Sequence, residues 1–110
     1  MNSNKLPDNF EYLKEMYEDG YFPTHLVDKI KASIKEVVSF IEEGGRSIEE
    51  IQTAFDKMTH EINDLQDEFV ENGSEIETAA RESIGATVDN ILKHFEIDID
   101  TEEAIRERDW

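Results

Sequence analysis

Three histidines, His25, His60 and His94, and 28 Asp or Glu residues are the groups in this 110-residue chain that could do metal or acid–base chemistry. Metal ligation from a helix needs ligands on one face. A Glu-x-x-His pair achieves this in di-iron bundles because positions i and i+3 project together. The residues three before the histidines are Phe22, Lys57 and Ile91, so that motif is absent. His60-Glu61 is followed by Ile62-Asn63-Asp64, which also breaks the His-Glu-x-x-His zinc pattern. Each histidine therefore reads as a surface or helix-end residue. Asp98-x-Asp100-x-Glu102 copies the start of a calcium loop, but Glu103 stands where the turn needs glycine. Those acids are better read as gathered before a helix start, where the macrodipole favours them. The chain has no cysteine, hence no thiolate nucleophile, thiolate metal site or disulfide. It also lacks a glycine-rich phosphate loop and a Gly-x-Ser-x-Gly elbow. No catalytic residue, metal ligand or cofactor is assigned, and the expectation is a non-enzymatic protein.

Two features suit recognition better than catalysis. Asp64, Asp67, Glu68 and Glu71 crowd the end of a predicted helix. Carboxylates there oppose the helix dipole and one another, a cost that hints at use. Tyr12, Tyr17, Tyr21 and Phe22 crowd eleven residues near the N-terminus. Tyrosine is common at interface hot spots, and it is also an ordinary core-edge residue with a wet hydroxyl. The candidate partner-binding residues are Asp64, Asp67, Glu68, Glu71, Tyr17 and Tyr21.

The elements that position these groups are helices. Asp8 is expected to cap a first short helix carrying Phe10, Leu13, Met16 and Tyr17, with Asp19-Gly20 as its stop. Thr24 would cap a second helix, about 25–43, whose stripe is Leu26, Ile30, Ile34, Val37, Val38 and Ile41, stopped by Gly44-Gly45. Ser47-Ile48-Glu49-Glu50 reads as a capping box. It opens the clearest element, where Ile48, Ile51, Phe55, Met58, Ile62, Leu65 and Phe69 are spaced alternately three and four apart. The flank of Gln52, Thr59 and Gln66 is uncharged and is expected to pack. Asn72-Gly73 stops that helix, and Ser74-Glu75-Ile76-Glu77 reads as a second capping box for a helix over about 75–95. That helix carries Ile76, Ala80, Ile84, Val88, Ile91 (or Leu92) and Phe95. Its small residues, Ala79, Ala80, Ser83, Gly85 and Ala86, suggest close helix approach. Thr101 would cap a last short helix, and Trp110 would anchor the terminus on the bundle.

Short connections make consecutive helices antiparallel neighbours. The fold expectation is all-α: an antiparallel bundle of three long helices flanked by a short N-terminal and a short C-terminal helix. One domain spans 1–110, with residues 1–6 expected to be disordered.

The formal net charge is −17. Residues 1–36 contribute −2, residues 37–73 contribute −8 and residues 74–110 contribute −7. This argues against binding a nucleic-acid backbone or an anionic membrane. No apolar run approaches the ~20 residues that span a bilayer, and the N-terminus has no signal-peptide stretch. A cytoplasmic protein is the default.

Three stretches, with Leu26-Val27-Asp28-Lys29 between the first two, carry a family resemblance. They are Glu15-Met16-Tyr17-Glu18-Asp19-Gly20-Tyr21-Phe22-Pro23, then Glu68-Phe69-Val70-Glu71-Asn72-Gly73-Ser74-Glu75-Ile76-Glu77-Thr78-Ala79-Ala80-Arg81-Glu82, and the terminal Arg108-Asp109-Trp110. In this order they resemble the small bacterial proteins of domain of unknown function 5713. The resemblance implies bacterial origin, single-domain size and no established activity, with no site residue to carry over.

The functional expectation is an interaction module whose acidic face binds a basic protein, in the manner of an immunity protein or a nucleic-acid mimic. The alternative is a divalent-metal-binding helical protein using the carboxylate clusters. The seam on the third helix serves an intramolecular bundle or a homodimer equally well, so the sequence leaves the oligomeric state open.

Overall fold

The computed structural model describes residues 5–110. The expectation of disorder over 1–6 falls mainly on residues 1–4, outside the described residues. Leu6 donates its N–H to Glu42 Oε2 at 3.0 Å and packs against the core.

The described residues form five helices and no strand: α1 (Lys14–Glu18), α2 (Thr24–Glu42), α3 (Ile48–Glu71), α4 (Thr78–His94) and α5 (Thr101–Ala104). The fold is all-α with three long helices and a short one at each end, as periodicity predicts. α2 and α3 make the most extensive pair. They are antiparallel, because Lys29 bridges to Glu68 at one end while Glu36 meets Lys57 nearer the other. Residues just after α4 share a cavity with Ile41, Ile48 and Ile51, which puts the end of α4 near the start of α3. α4 packs chiefly on α1 and α5, however, and not along α3 as the short connection predicts. The short helices are wedges rather than end caps. α1 packs on α4 and α2, and α5 packs on α4 and α3. All five helices contribute to one core cluster, in which Phe55, Phe69, Ile30, Ile34 and Ile84 are fully buried.

Local chemistry explains the helix ends that behave as expected. Ser47 Oγ accepts from Glu50 N while Glu50 Oε1 accepts from Ser47 N, a complete capping box. At the far end of α3, Gly73 sits at φ +77°, which only glycine adopts without strain. That lets Ser74 N reach Phe69 O and Gly73 N reach Val70 O, the two bonds of a Schellman stop.

Several expected ends are overridden by longer-range bonds. Asp8 caps nothing. Pro7 to Phe10 form a turn closed by Phe10 N on Pro7 O, and α1 starts only at Lys14. Leu13, fully buried, is held in the left-handed region (φ 54°, ψ 41°) with its N–H on Thr87 Oγ1 of α4 at 2.9 Å. This conformation breaks any helix through residues 8–17. Gly20 does not adopt positive φ, and α1 is ended by Asp19, whose Oδ1 takes the N–H of Tyr21. Pro23 replaces Thr24 as N-cap of α2, since its carbonyl already accepts from Leu26 and Val27. The second capping box does not form. The Schellman stop takes Ser74 N, the chain stays non-helical through Glu77, and the Glu77 side chain caps Ala79 N. Thr101 is the first residue of α5 rather than its cap, and its hydroxyl donates to Asp89 on α4. Ile48, the first residue of the predicted seam, is 47 % exposed. Close approach does not occur at Gly85, whose Cβ position has open space, and Ala79 and Ala86 are exposed.

Candidate functional site

The four candidate carboxylates occupy the last two turns of α3, a helix with no basic residue in its final turn. Glu68 is paired with Lys29 at 2.7 Å. Asp64, Asp67 and Glu71 are exposed and have no cationic partner among the described residues. At the start of α4 the Glu77 carboxylate takes the N–H of Ala79, and none of the three acids caps that helix. Beside them Val70 is 63 % exposed, the most exposed large apolar side chain described. Helical periodicity does not mark Val70, which lies outside the buried stripe of α3. Its signal was a β-branched residue one place off the Phe69 seam, inside a run of acids.

The two tyrosines play different parts. Tyr17 is half-buried and donates its hydroxyl to Asp28 Oδ1 at 2.5 Å. Burial, and then the Asp28 carboxylate, push its phenol well above the usual range. Tyr12 likewise lies under Lys31 and Lys35, 5.6 and 5.8 Å from its ring centre, edge-on to Phe10. Both brace α1 against α2. Tyr21 is 45 % exposed and edge-on to Phe22. It precedes α2, at the same end of the α2–α3 pair where α3 terminates. Asp64, Asp67, Glu71 and Tyr21 thus share one end of the molecule with their polar atoms uncommitted to any ion pair. Glu68 and Tyr17 are tied to α2.

A second polar system runs along α3 and was only half anticipated. The C-terminal segment lies on the flank of Gln52, Asp56, His60, Asn63 and Gln66. Gln52 Nε2 donates to Asp56 Oδ1 and Glu103 O; Arg106 grips Asp56 through two nitrogens at 3.2 and 2.8 Å; His60 meets Glu107 at 3.1 Å. Asn63 donates to Glu107 O and accepts from Asp109 N, and Gln66 donates to the Asp109 carboxylate. Burial pushes the Asp56 carboxyl up, but hydrogen bonds from Arg106 and Gln52 outweigh it and hold the group below its ordinary value. This strap ends in Trp110, which is buried. The uncharged residues Gln52 and Gln66 were legible as a packing flank, but what they pack against was not.

Among the described residues no three His, Asp or Glu side chains are placed to hold a metal ion. His25, His60 and His94 are exposed, and His94 bonds Lys5 O. A groove of about 250 Å³ between α2 and α3 is lined by Ser33, Val37, Phe40, Ala54 and Met58 together with Glu36 and Lys57, which pair with each other at 3.4 Å. No described helix is long and apolar enough to cross a membrane.

No curated protein and no solved structure matches the chain. A family model matches residues 6–110, so the stretches from Glu15 to Pro23, from Glu68 to Glu82 and at Arg108-Asp109-Trp110 lie within one match, and the chain belongs to DUF5713, a family of unknown function.

Proposed function

We propose that this protein is a non-enzymatic interaction module that presents the acidic end of α3 to a basic protein partner. The observation that carries the reading is the unrelieved charge of Asp64, Asp67 and Glu71 at a helix C-terminus, the position where the dipole disfavours anions. Some carboxylates, such as Asp56 and Asp89, are paired with a cation, whereas these three are not and also stand at the end of a helix that disfavours them. These three retain their charge for an incoming cation. Val70 and Tyr21 supply apolar contact beside them. Such a surface speeds encounter by electrostatic attraction and holds through short-range contacts.

The experiment compares capture from a cell lysate by the wild type and by a triple variant, Asp64→Lys, Asp67→Lys and Glu71→Lys. A control variant carries the same charge change at Glu11, Glu75 and Glu82, which are also exposed. The expected result is one basic protein retained stoichiometrically by the wild type and the control and lost by the triple variant, with association that slows as salt rises. Equal retention by all three, or an association rate indifferent to ionic strength, would overturn the reading.

A further inference from the structure

The groove between α2 and α3 is built from two helix faces. Ser33, Glu36, Val37 and Phe40 stand at i, i+3, i+4 and i+7 on α2, and Glu50, Thr53, Ala54 and Lys57 repeat that spacing on α3. Val37 and Met58 are buried, while Phe40 and Ala54 are half-buried. Arg46 places its guanidinium 4.0 Å from the Phe40 ring centre, and Phe40 still lines the groove.

An apolar groove does not name its occupant, but Ser33 narrows the choice. Ser33 is more than nine-tenths buried, yet its hydroxyl makes no hydrogen bond among the described residues. Thr53 and Thr59 donate theirs to the carbonyl four residues back, and Ser33 does not. Its oxygen is not sealed in the core as that of Ser74 is, and the groove is the hollow that Ser33 lines. An open hydroxyl among aliphatic and aromatic walls suits an apolar group that carries one polar handle.

Size and charge narrow it further. A cavity of about 150 Å³ holds a benzene ring, so this one has room for an aromatic ring and its handle. Three glutamates, Glu36, Glu50 and Glu61, stand at or beside the rim against one lysine, Lys57, which Glu36 and Glu61 share at 3.4 Å each. The complementary group is aromatic, hydrogen-bonding and flanked by positive charge.

We infer that this groove binds a tryptophan or tyrosine side chain from a basic segment of a partner protein. The ring lies on Val37, Phe40, Ala54 and Met58, its N–H or O–H meets the Ser33 hydroxyl, and neighbouring cations face Glu36 and Glu50. Tryptophan and tyrosine anchor interfaces in this way, with an apolar body and a polar tip. A groove open to solvent encloses less of a free small molecule than ligand pockets do, which favours a ring carried on a chain. A second copy of this chain fits less well, since each brings a net charge of −17. The inference rests on the groove and not on the unpaired acids at the end of α3.

The test titrates the full chain at about 0.15 M salt, where the Debye length is ~8 Å, with three tripeptides blocked at both ends: Lys-Trp-Lys, Lys-Ala-Lys and Glu-Trp-Glu. Amide and methyl NMR give the readout. The expected result is saturable binding of Lys-Trp-Lys, with the largest shifts at Ser33, Val37, Ala54 and the Met58 methyl, and at least tenfold weaker binding of the other two. Ser33→Ala should weaken Lys-Trp-Lys about fivefold and leave the melting temperature unchanged, because the free protein has no hydrogen bond there to lose. Ala54→Phe, which fills the groove from a half-buried position, should abolish binding. The triple variant Asp64→Lys, Asp67→Lys, Glu71→Lys should bind as the wild type does, so this inference and the proposed function fail separately. Lys-Ala-Lys binding as tightly would mean that charge alone acts, and Glu-Trp-Glu binding as tightly would mean that the rim takes no part. Either result overturns the inference. So would Ser33→Ala binding as the wild type does, shifts spread evenly over the surface, or free indole matching Lys-Trp-Lys, which would assign the groove to a small aromatic molecule.

Discussion

α3 carries carboxylates on two stretches that meet opposite fates. Around Asp56 the negative charge is enclosed by Arg106 and Gln52, and the C-terminal strap lies over it. Two turns further on, Asp64, Asp67 and Glu71 meet only solvent. Composition cannot separate these stretches, because both are acidic and both sit at helical spacing. What separates them is a segment about fifty residues later that returns along one flank of the helix, as far as Asn63 and Gln66, and makes no bond to Asp64, Asp67 or Glu71. Charge in one place holds the fold together, and in the other it is held against the fold's own preference.

The strongest way to break this comparison is to remove the strap's anchor. Trp110→Ala should cost about 3 kcal/mol, as for other large buried aromatics, and lower the melting temperature on the order of 10 °C. An unchanged melting temperature would mean that the strap contributes nothing and that Asp56 is as idle as Asp64. Next, Asp56→Asn should cost about 1 kcal/mol by denaturant titration, a figure discounted for the exposure of its Arg106 partner. The pH dependence has a definite sign. The folded-state pKa of Asp56 is depressed, so its stabilisation is fully present above the unfolded value near 4 and is lost as pH falls through the lower folded value. Trp110 fluorescence should therefore report strap release in acid, and Asp56→Asn should remove that component. If the variant titrates as the wild type does, the Arg106 pair is not what makes the strap acid-sensitive.

At the other stretch the sign reverses. Glu71→Lys should stabilise the protein by about 0.3–1 kcal/mol at low ionic strength, because it places a cation where the α3 dipole favours one. A destabilised variant would show that Glu71 has a structural partner after all. The smallest effect is general. Raising salt from low values to about 0.15 M, where the Debye length is ~8 Å, should stabilise the wild type. The gain should shrink in the Asp64→Lys, Asp67→Lys, Glu71→Lys variant. A gain unchanged by those substitutions would place the dominant repulsion elsewhere, among residues 74–110.

Local signals succeeded where the bonds that satisfy an end are made within a few residues. The Ser47–Glu50 box and the Asn72-Gly73 stop are of this kind. Ser74-Glu75-Ile76-Glu77 has the same pattern as the first box and fails, because the stop before it has already taken the Ser74 N–H. Leu13 has the right spacing for a helix and is not within one, because Thr87, 74 residues away, fixes its N–H. The candidate site divides in the same way. That Asp64, Asp67 and Glu71 lie on the last turns of a helix was legible from periodicity. That Glu68 would be paired and Tyr17 bonded to Asp28 was not, because those partners depend on how α1 and α3 sit against α2.

The amino-acid sequence by itself determined the number and type of the long elements, their buried stripes and the net repulsion they must overcome. Periodicity and charge act over a few residues and need no knowledge of neighbours in space. Only the tertiary structure decided which polar groups are satisfied and which remain open. Hydrogen bonds and ion pairs act at about 3 Å, and whether a donor lies that close is settled by chain segments far away in sequence. Asp56 and Asp64 are the same residue type on the same helix, and Arg106 reaches one of them.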